Sequence, residues 1–128
     1  MIYLDTSVLL AQLLVEDRVP PPALWEEPIA SSRLLEYEIW TRLHALGLVE
    51  THGDDARTLL GRIAFLELDT QVLARALEPF PVSVRTLDAL HLASLHFLRE
   101  QRQRVALASY DRRLLAAAKA LEFTAYPL

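Results

Sequence analysis

Short apolar runs alternate along the chain with longer segments in which apolar residues recur at helical spacing. The runs predict strands near 2–4, 28–31, 64–68, 105–108 and 123–126. The segments between them predict helices near 8–15, 33–46, 56–63, 70–77, 86–98 and 110–121, with a short helix ending near Trp25. Strands that alternate with amphipathic helices predict an α/β fold, in which helices cover both faces of a central, mainly parallel sheet.

Polar residues at the predicted element boundaries indicate turns and helix caps. Thr6 or Ser7 is expected to cap the first helix, and Ser109 the last. The segment 52–55 reads as a turn that precedes the third long helix. In a parallel sheet the ligand site lies beyond the carboxyl ends of the strands, so these boundaries are where functional residues are sought.

The length and composition favour one intracellular domain. The 128 residues match the size of a single domain, and we expect it to span 1–128. The N-terminus lacks the features of a signal peptide, and no apolar stretch would span a bilayer, so a soluble, cytoplasmic protein without membrane contact is expected. The absence of cysteine excludes a disulfide scaffold, a thiolate zinc site and a cysteine nucleophile.

The net charge of −4 does not suggest a nucleic-acid-binding protein, but the charges are unevenly placed. Twelve of the thirteen basic residues are arginines, and five of these fall between 99 and 113. A basic rim around an acidic centre would leave little net charge. The same arginines could equally well solvate helix ends.

Four acids lie where strands end or helices begin. Asp5 follows the first strand, Asp111 follows a late strand, Asp88 lies in the first turn of a helix, and Glu36 lies early in the helix after the second strand. Any one of them could simply favour a helix N-terminus. Together they repel one another unless a cation compensates. Oxygen ligands without cysteine suit Mg²⁺, with Mn²⁺ as a second option.

Other kinds of site are not supported by the sequence. His91 and His96 are five residues apart and do not share a helix face, so His91 is interpreted as a packed or surface histidine. Lys119 follows no glycine-rich loop, which excludes a P-loop nucleotidase, and no Gly-x-Ser-x-Gly segment is present.

The choice between Glu36 and Glu38 depends on the rotation of one helix. The two side chains point roughly 200° apart, so only one can face the acidic cleft. Glu38 precedes Arg42 by four residues, which favours a surface ion pair. Glu36 has Ile39 and Trp40 at the corresponding positions and lacks such a partner. We therefore expect Glu36 to face the cleft.

Four segments of the chain resemble conserved segments of the PIN domain family, specifically its VapC-type toxins. The segments are IYLDTS (2–7), SRLLE (32–36), LDALHLA (87–93) and ASYDRRL (108–114). The resemblance implies a three-layer α/β/α PIN fold with Asp5, Glu36, Asp88 and Asp111 as catalytic and metal-binding acids. It also implies that Thr6 or Ser7, together with Ser109, supports the site through hydroxyl groups.

The resemblance further implies a function. It implies a Mg²⁺-dependent endoribonuclease that hydrolyses single-stranded or structured RNA, forms a homodimer and is neutralised by a small antitoxin protein. Two alternatives stay open: a PIN nuclease of RNA processing that is not a toxin, and a non-catalytic Mg²⁺-binding α/β domain. Apolar positions on the first two long helices exceed what one small sheet obviously needs, so part of that surface could serve a dimer or an antitoxin, or all of it could belong to the core.

Overall fold

Five short parallel strands form one sheet in the computed structural model, which describes residues 1–128. In chain order the elements are β1 (Ile2–Leu4), α1 (Thr6–Leu14), a 3₁₀ turn (Pro22–Glu26), β2 (Ile29–Ser32), α2 (Arg33–Leu46), α3 (Val49–Leu60), β3 (Ile63–Leu66), α4 (Thr70–Ala76), α5 (Thr86–Glu100), β4 (Ala106–Ala108), α6 (Arg112–Ala120) and β5 (Thr124–Ala125). The predicted α/β class and mainly parallel sheet are confirmed.

The strand order is β3-β2-β1-β4-β5. The chain therefore builds outward from β1 through β2 to β3, and then returns to add β4 on the other side of β1. This reversal places a topological switch point between β1 and β4, where parallel sheets open a crevice at their carboxyl ends. Leu4 pairs with Ala108 across that junction, so Asp5 and Ser109 leave the sheet side by side.

Two apolar cores cover the faces of the sheet, as the alternation of side chains along a strand requires. Ile2 and Leu4 belong to the core formed with α1, α2 and α3. Tyr3 points to the opposite face, into the core formed with α5 and α6. Both faces of β1 are buried, which explains why the strand is an uninterrupted apolar run.

One predicted turn is helical in the structure. The segment 52–55 lies inside α3, which runs Val49–Leu60, and β3 begins at Ile63. Gly53 suggested a turn, but it is buried where a Cβ would lie 3.7 Å from the Trp40 ring. A Cβ there would make only ordinary van der Waals contacts, so Gly53 is accommodated inside the helix and marks neither a turn nor an unusually close approach.

The predicted capping residues at two helices were wrong by one or two positions. Asp5, rather than Thr6 or Ser7, is the N-cap residue of α1, and its side chain makes no capping hydrogen bond. Asp111, rather than Ser109, caps α6 and accepts hydrogen bonds from the backbone N–H groups of Arg113 and Leu114. Of the six helices, none is both long and apolar enough to cross a membrane.

Candidate active site

Asp5 is buried at the end of β1 and is held there by two hydroxyl groups. Its Oδ2 atom accepts hydrogen bonds from Ser7 Oγ at 2.7 Å and from Ser109 Oγ at 2.8 Å. The side chain is only 6% exposed. Its Oδ1 atom takes part in no hydrogen bond to the protein, and so one carboxylate oxygen is fixed while the other is free to bind a ligand.

The loop after β4 is tied to Asp5 through the same hydroxyl groups. The backbone N–H of Tyr110 donates to Ser7 Oγ at 3.0 Å, and that of Asp111 donates to Ser109 Oγ at 2.9 Å. Each of the two serine hydroxyl groups thus donates a hydrogen bond to Asp5 and accepts one from a backbone N–H that follows β4. The hydroxyl groups of Ser7 and Ser109, two of the residues that the resemblance places beside the acids, both contact Asp5.

Asp88 and Asp111 approach each other across the cleft between α5 and α6. Arg85 contacts both: its Nε atom lies 3.4 Å from Asp88 Oδ2, and its Nη2 atom 3.4 Å from Asp111 Oδ2. Burial and the neighbouring Asp111 carboxylate raise the pKa of Asp88 above its ordinary value, although Arg85 offsets part of this effect. A single, largely exposed guanidinium therefore compensates the two carboxylates only in part.

The glutamate that faces the cleft is Glu38, and the expectation for Glu36 was wrong. Glu38 Oε1 accepts a hydrogen bond from Thr6 Oγ1 at 2.9 Å and lies 2.7 Å from His91 Nε2. Glu36 instead pairs with Arg33 at 3.2 Å, on the side of α2 where Arg33 also contacts Glu67. The partner of Glu36 is Arg33, which precedes it by three residues, whereas the expectation rested on residues that follow each glutamate.

His91, interpreted from the sequence as a packed or surface histidine, is packed beside Glu38 in this cleft. It is 1% exposed and lies between Tyr3 and Glu38, with Tyr3 Oη 2.7 Å from its Nδ1 atom. Burial lowers the pKa of His91, but the hydrogen bond and charge of Glu38, with Asp5 and Asp88 nearby, outweigh burial and raise it above its ordinary value. With Glu38 ionised, His91 Nε2–H donates to the carboxylate, and in the neutral ring Nδ1 accepts from the Tyr3 hydroxyl.

Four acids from separate segments of the chain line one cavity of about 400 Å³. Its acidic lining residues are Asp5, Glu38, Asp88 and Asp111. The other polar residues of its wall are Thr6, Ser7, Arg85, Thr86 and His91. The cavity opens at the carboxyl edge of the sheet, where the β1–β4 switch point predicts a ligand site.

The donor set of this cavity fits a hard divalent cation. In the present side-chain arrangement no three acids or histidines approach closely enough to coordinate one ion, and Arg85 contacts two of the acids. The cavity nevertheless offers carboxylate oxygens from four residues and only Arg85 as a fixed positive charge. Carboxylates are the ligands that Mg²⁺ and Mn²⁺ prefer, whereas a zinc site would call for cysteine or paired histidines.

Comparison with known proteins places the chain in a family. The family model of the PIN domain matches residues 2–121. Ribonuclease VapC47 of Mycobacterium tuberculosis (strain CDC 1551 / Oshkosh) is 31% identical over 99% of this chain and 97% of its own. Ribonuclease VapC46 of strain ATCC 25618 / H37Rv is 33% identical over 94% and 92%. The chain belongs to the PIN domain family, in its VapC-type branch.

A solved structure supports the fold independently. A chain of a toxin-antitoxin complex from Klebsiella pneumoniae superposes with a TM-score of 0.70, covers 94% of each chain and shares 17% sequence identity. At 17% identity this likeness supports only the fold. The assignment to the family rests on the family model and on the sequence relatives.

Proposed function

We propose that this protein is a divalent-metal-dependent endoribonuclease and the toxin of a toxin–antitoxin pair, with residues 1–128 acting as one domain. The observation that carries the proposal is the convergence of Asp5, Glu38, Asp88 and Asp111 on one cavity in a PIN domain whose relatives are named ribonucleases. Membership of the VapC branch supports an antitoxin partner, and so does the likeness to a chain of a toxin-antitoxin complex.

The four cavity acids would hold Mg²⁺ or Mn²⁺, and Glu38 replaces the predicted Glu36 in this set. A bound cation would lower the pKa of a coordinated water and neutralise charge on a phosphodiester. Asp5 and Glu38 each use one oxygen for internal hydrogen bonds, which leaves Asp5 Oδ1 and Glu38 Oε2 for the ion. Asp111 uses Oδ1 to cap α6 and presents Oδ2.

The remaining residues orient the acids and the substrate. Ser7 and Ser109 fix the Asp5 carboxylate, while Thr6 and His91 fix Glu38. Asp88 faces the cavity beside Asp111, and an oxygen of Asp88 that the cation leaves free would accept a proton from an attacking water. Arg85, released from Asp88 and Asp111 when a cation binds, would then be available to a phosphate oxygen.

Cleavage of defined RNA tests this proposal. The purified protein should cut 5′-labelled single-stranded RNA in Mg²⁺ or Mn²⁺ and not in EDTA. Asp5→Asn, which removes one charge and keeps the shape, should abolish cleavage. Asp54→Asn is the matched control because Asp54 is a fully exposed acid on α3. Equal cleavage by the Asp5→Asn protein and the wild type would refute the assignment of the site.

The toxin role has its own test. Expression of the wild-type chain should arrest growth, and Asp5→Asn should relieve the arrest at equal protein level. Co-expression of a small protein encoded beside this gene should relieve it as well. A homodimer, which the family resemblance implies, is checked by sedimentation at micromolar concentration. An active RNase that never arrests growth would instead indicate a PIN nuclease of RNA processing.

A further inference from the structure

A second cavity adjoins the acidic one and has a different character. It measures about 610 Å³, which is within the usual range for a small-molecule site. It shares Ser7, Leu10 and Asp111 with the acidic cavity, so the two cavities are neighbours that are separated by these residues. None of the roles assigned above uses the rest of its wall, which includes Glu16, Asp17, Arg18 and Tyr110.

Tyr110 offers a flat aromatic surface in this second cavity. The Arg18 guanidinium lies 4.6 Å from the centre of the Tyr110 ring. A planar cationic group stacks on this ring face, and a planar base would have to take its place. Bases of single-stranded RNA are bound by stacking on such rings and on arginine planes. The backbone of Tyr110 is also fixed through Ser7 to Asp5.

The chain is turned into this cavity by an unusual backbone conformation. Val15, at the end of α1, has a φ of 51° and is 79% exposed. A β-branched residue in the left-handed region is unfavourable, and such strain is concentrated at ligand sites. Its consequence is that Glu16, Asp17 and Arg18 fold back beside Tyr110 instead of continuing the helix.

We propose that this second cavity binds a guanine base of the RNA, next to the phosphate that the acidic cavity would cleave. The inference rests on the proposed function for its substrate class. The carboxylates of Glu16 and Asp17 would disfavour a phosphate, so a base is the part of a nucleotide that suits this wall. Guanine presents two adjacent N–H donors on its Watson–Crick edge, and one carboxylate accepts both.

The other bases fit this wall less well. Adenine and cytosine each place an acceptor nitrogen beside their amino group, and uracil places carbonyl groups on both sides of its single N–H. A carboxylate repels those acceptor atoms. The stacked base would take the ring face from Arg18, which could then contact the neighbouring phosphate.

Binding of uncharged nucleosides tests the base site without metal and without cleavage. Guanosine, adenosine, cytidine and uridine are titrated in EDTA into the ¹⁵N-labelled protein, and the amide signals of Arg18 and Tyr110 are followed. Guanosine should bind at least about tenfold more tightly than uridine. Tyr110→Leu should weaken guanosine at least about tenfold, as loss of a stacking ring does elsewhere. Tyr110→Phe keeps the ring and should keep the binding.

Matched variants separate this site from the general surface. The double variant Glu16→Gln/Asp17→Asn should remove the preference for guanosine, whereas Glu26→Gln/Glu27→Gln, an exposed acidic pair elsewhere, should retain it. Tyr37→Leu changes an exposed tyrosine on α2 and should bind like the wild type. Equal binding of all four nucleosides, or guanosine binding unaffected by Tyr110→Leu, would overturn the proposal.

Comparison with the cleavage assay keeps the two proposals apart. If guanosine binds through Tyr110 but no RNA is cleaved, the base site stands and the nuclease function fails. If RNA is cleaved but guanosine does not bind, the nuclease function stands and the base site is wrong.

Discussion

Replacing Glu38 and Glu36 separately by glutamine decides which face of α2 serves the active site. The two substitutions remove the same charge from the same helix, two residues apart. Glu38 lines the acidic cavity and contacts Thr6 and His91. Glu36 pairs with Arg33 outside that cavity. Glu38→Gln should therefore abolish RNA cleavage, and Glu36→Gln should leave it within a few fold.

The expected stability changes are small enough to leave both variants folded. Glutamine at 38 can still accept one hydrogen bond, so the loss is mainly that of charge assistance, about 1 kcal/mol. For a domain of this size that corresponds to a fall in Tm of about 4 °C. The Arg33–Glu36 pair joins side chains that are 34% and 36% exposed, so its loss costs about 0.2–0.5 kcal/mol.

A metal titration separates a binding defect from a folding defect. Melting curves are recorded in EDTA and in millimolar Mg²⁺ or Mn²⁺ at constant ionic strength, beside the cleavage assay. A cation that binds only the folded protein raises its Tm. Wild type and Glu36→Gln should show that rise, and Glu38→Gln should show little of it. An active Glu38→Gln protein beside an inactive Glu36→Gln protein would refute the placement of Glu38 in the site.

Three further predictions follow from the same contacts. Burial and Asp111 raise the pKa of Asp88, so the folded protein binds a proton at this carboxyl group more tightly than the unfolded chain does. In EDTA the wild type should therefore lose stability as the pH rises through the pKa of Asp88 in the folded state. Asp88→Asn should flatten that part of the curve of Tm against pH. Tyr3→Phe leaves His91 Nδ1 buried without its hydroxyl partner and should cost about 1–3 kcal/mol in urea unfolding, while a loss below about 0.5 kcal/mol would contradict that contact. Arg85→Gln should lower the Tm in EDTA and enlarge the rise caused by Mg²⁺, because Arg85 neutralises the same acids; an unchanged rise would show that it does not compete with the cation.

The fold was predictable from the sequence because its signals are local. Buried parallel strands are continuous apolar runs, and the helices between them carry apolar residues at helical spacing. The three aspartates were also predictable, since each stands at the end of a strand or the start of a helix. The boundaries of α3 were not, because Gly53, which local rules associate with a turn, is buried inside the helix beside Trp40.

The fourth acid and its partners depended on contacts distant in sequence. His91 lies 53 residues from Glu38, and no spacing rule predicts that a buried histidine on α5 would hold a glutamate on α2. Local pairing rules gave the wrong rotation of α2 because they favoured Arg42 as the partner of Glu38. Contacts distant in sequence also decide which apolar residues of α2 are buried. Leu43 is fully buried, whereas Tyr37 is 65% exposed.

The position of Glu38 depends on the packing of both layers of the protein. Glu38 lies on α2, whose apolar face packs on one side of the sheet, and His91 lies on α5, which packs on the other. The His91 ring also meets Tyr3 of β1 edge to face, with ring centres 5.8 Å apart. A shift of α5 relative to the sheet would therefore move His91 and release Glu38. Leu95 lies on the buried face of α5 and does not line the acidic cavity. Leu95→Ala should nevertheless reduce the rise in Tm that the cation causes, because it loosens the packing that holds His91 in place.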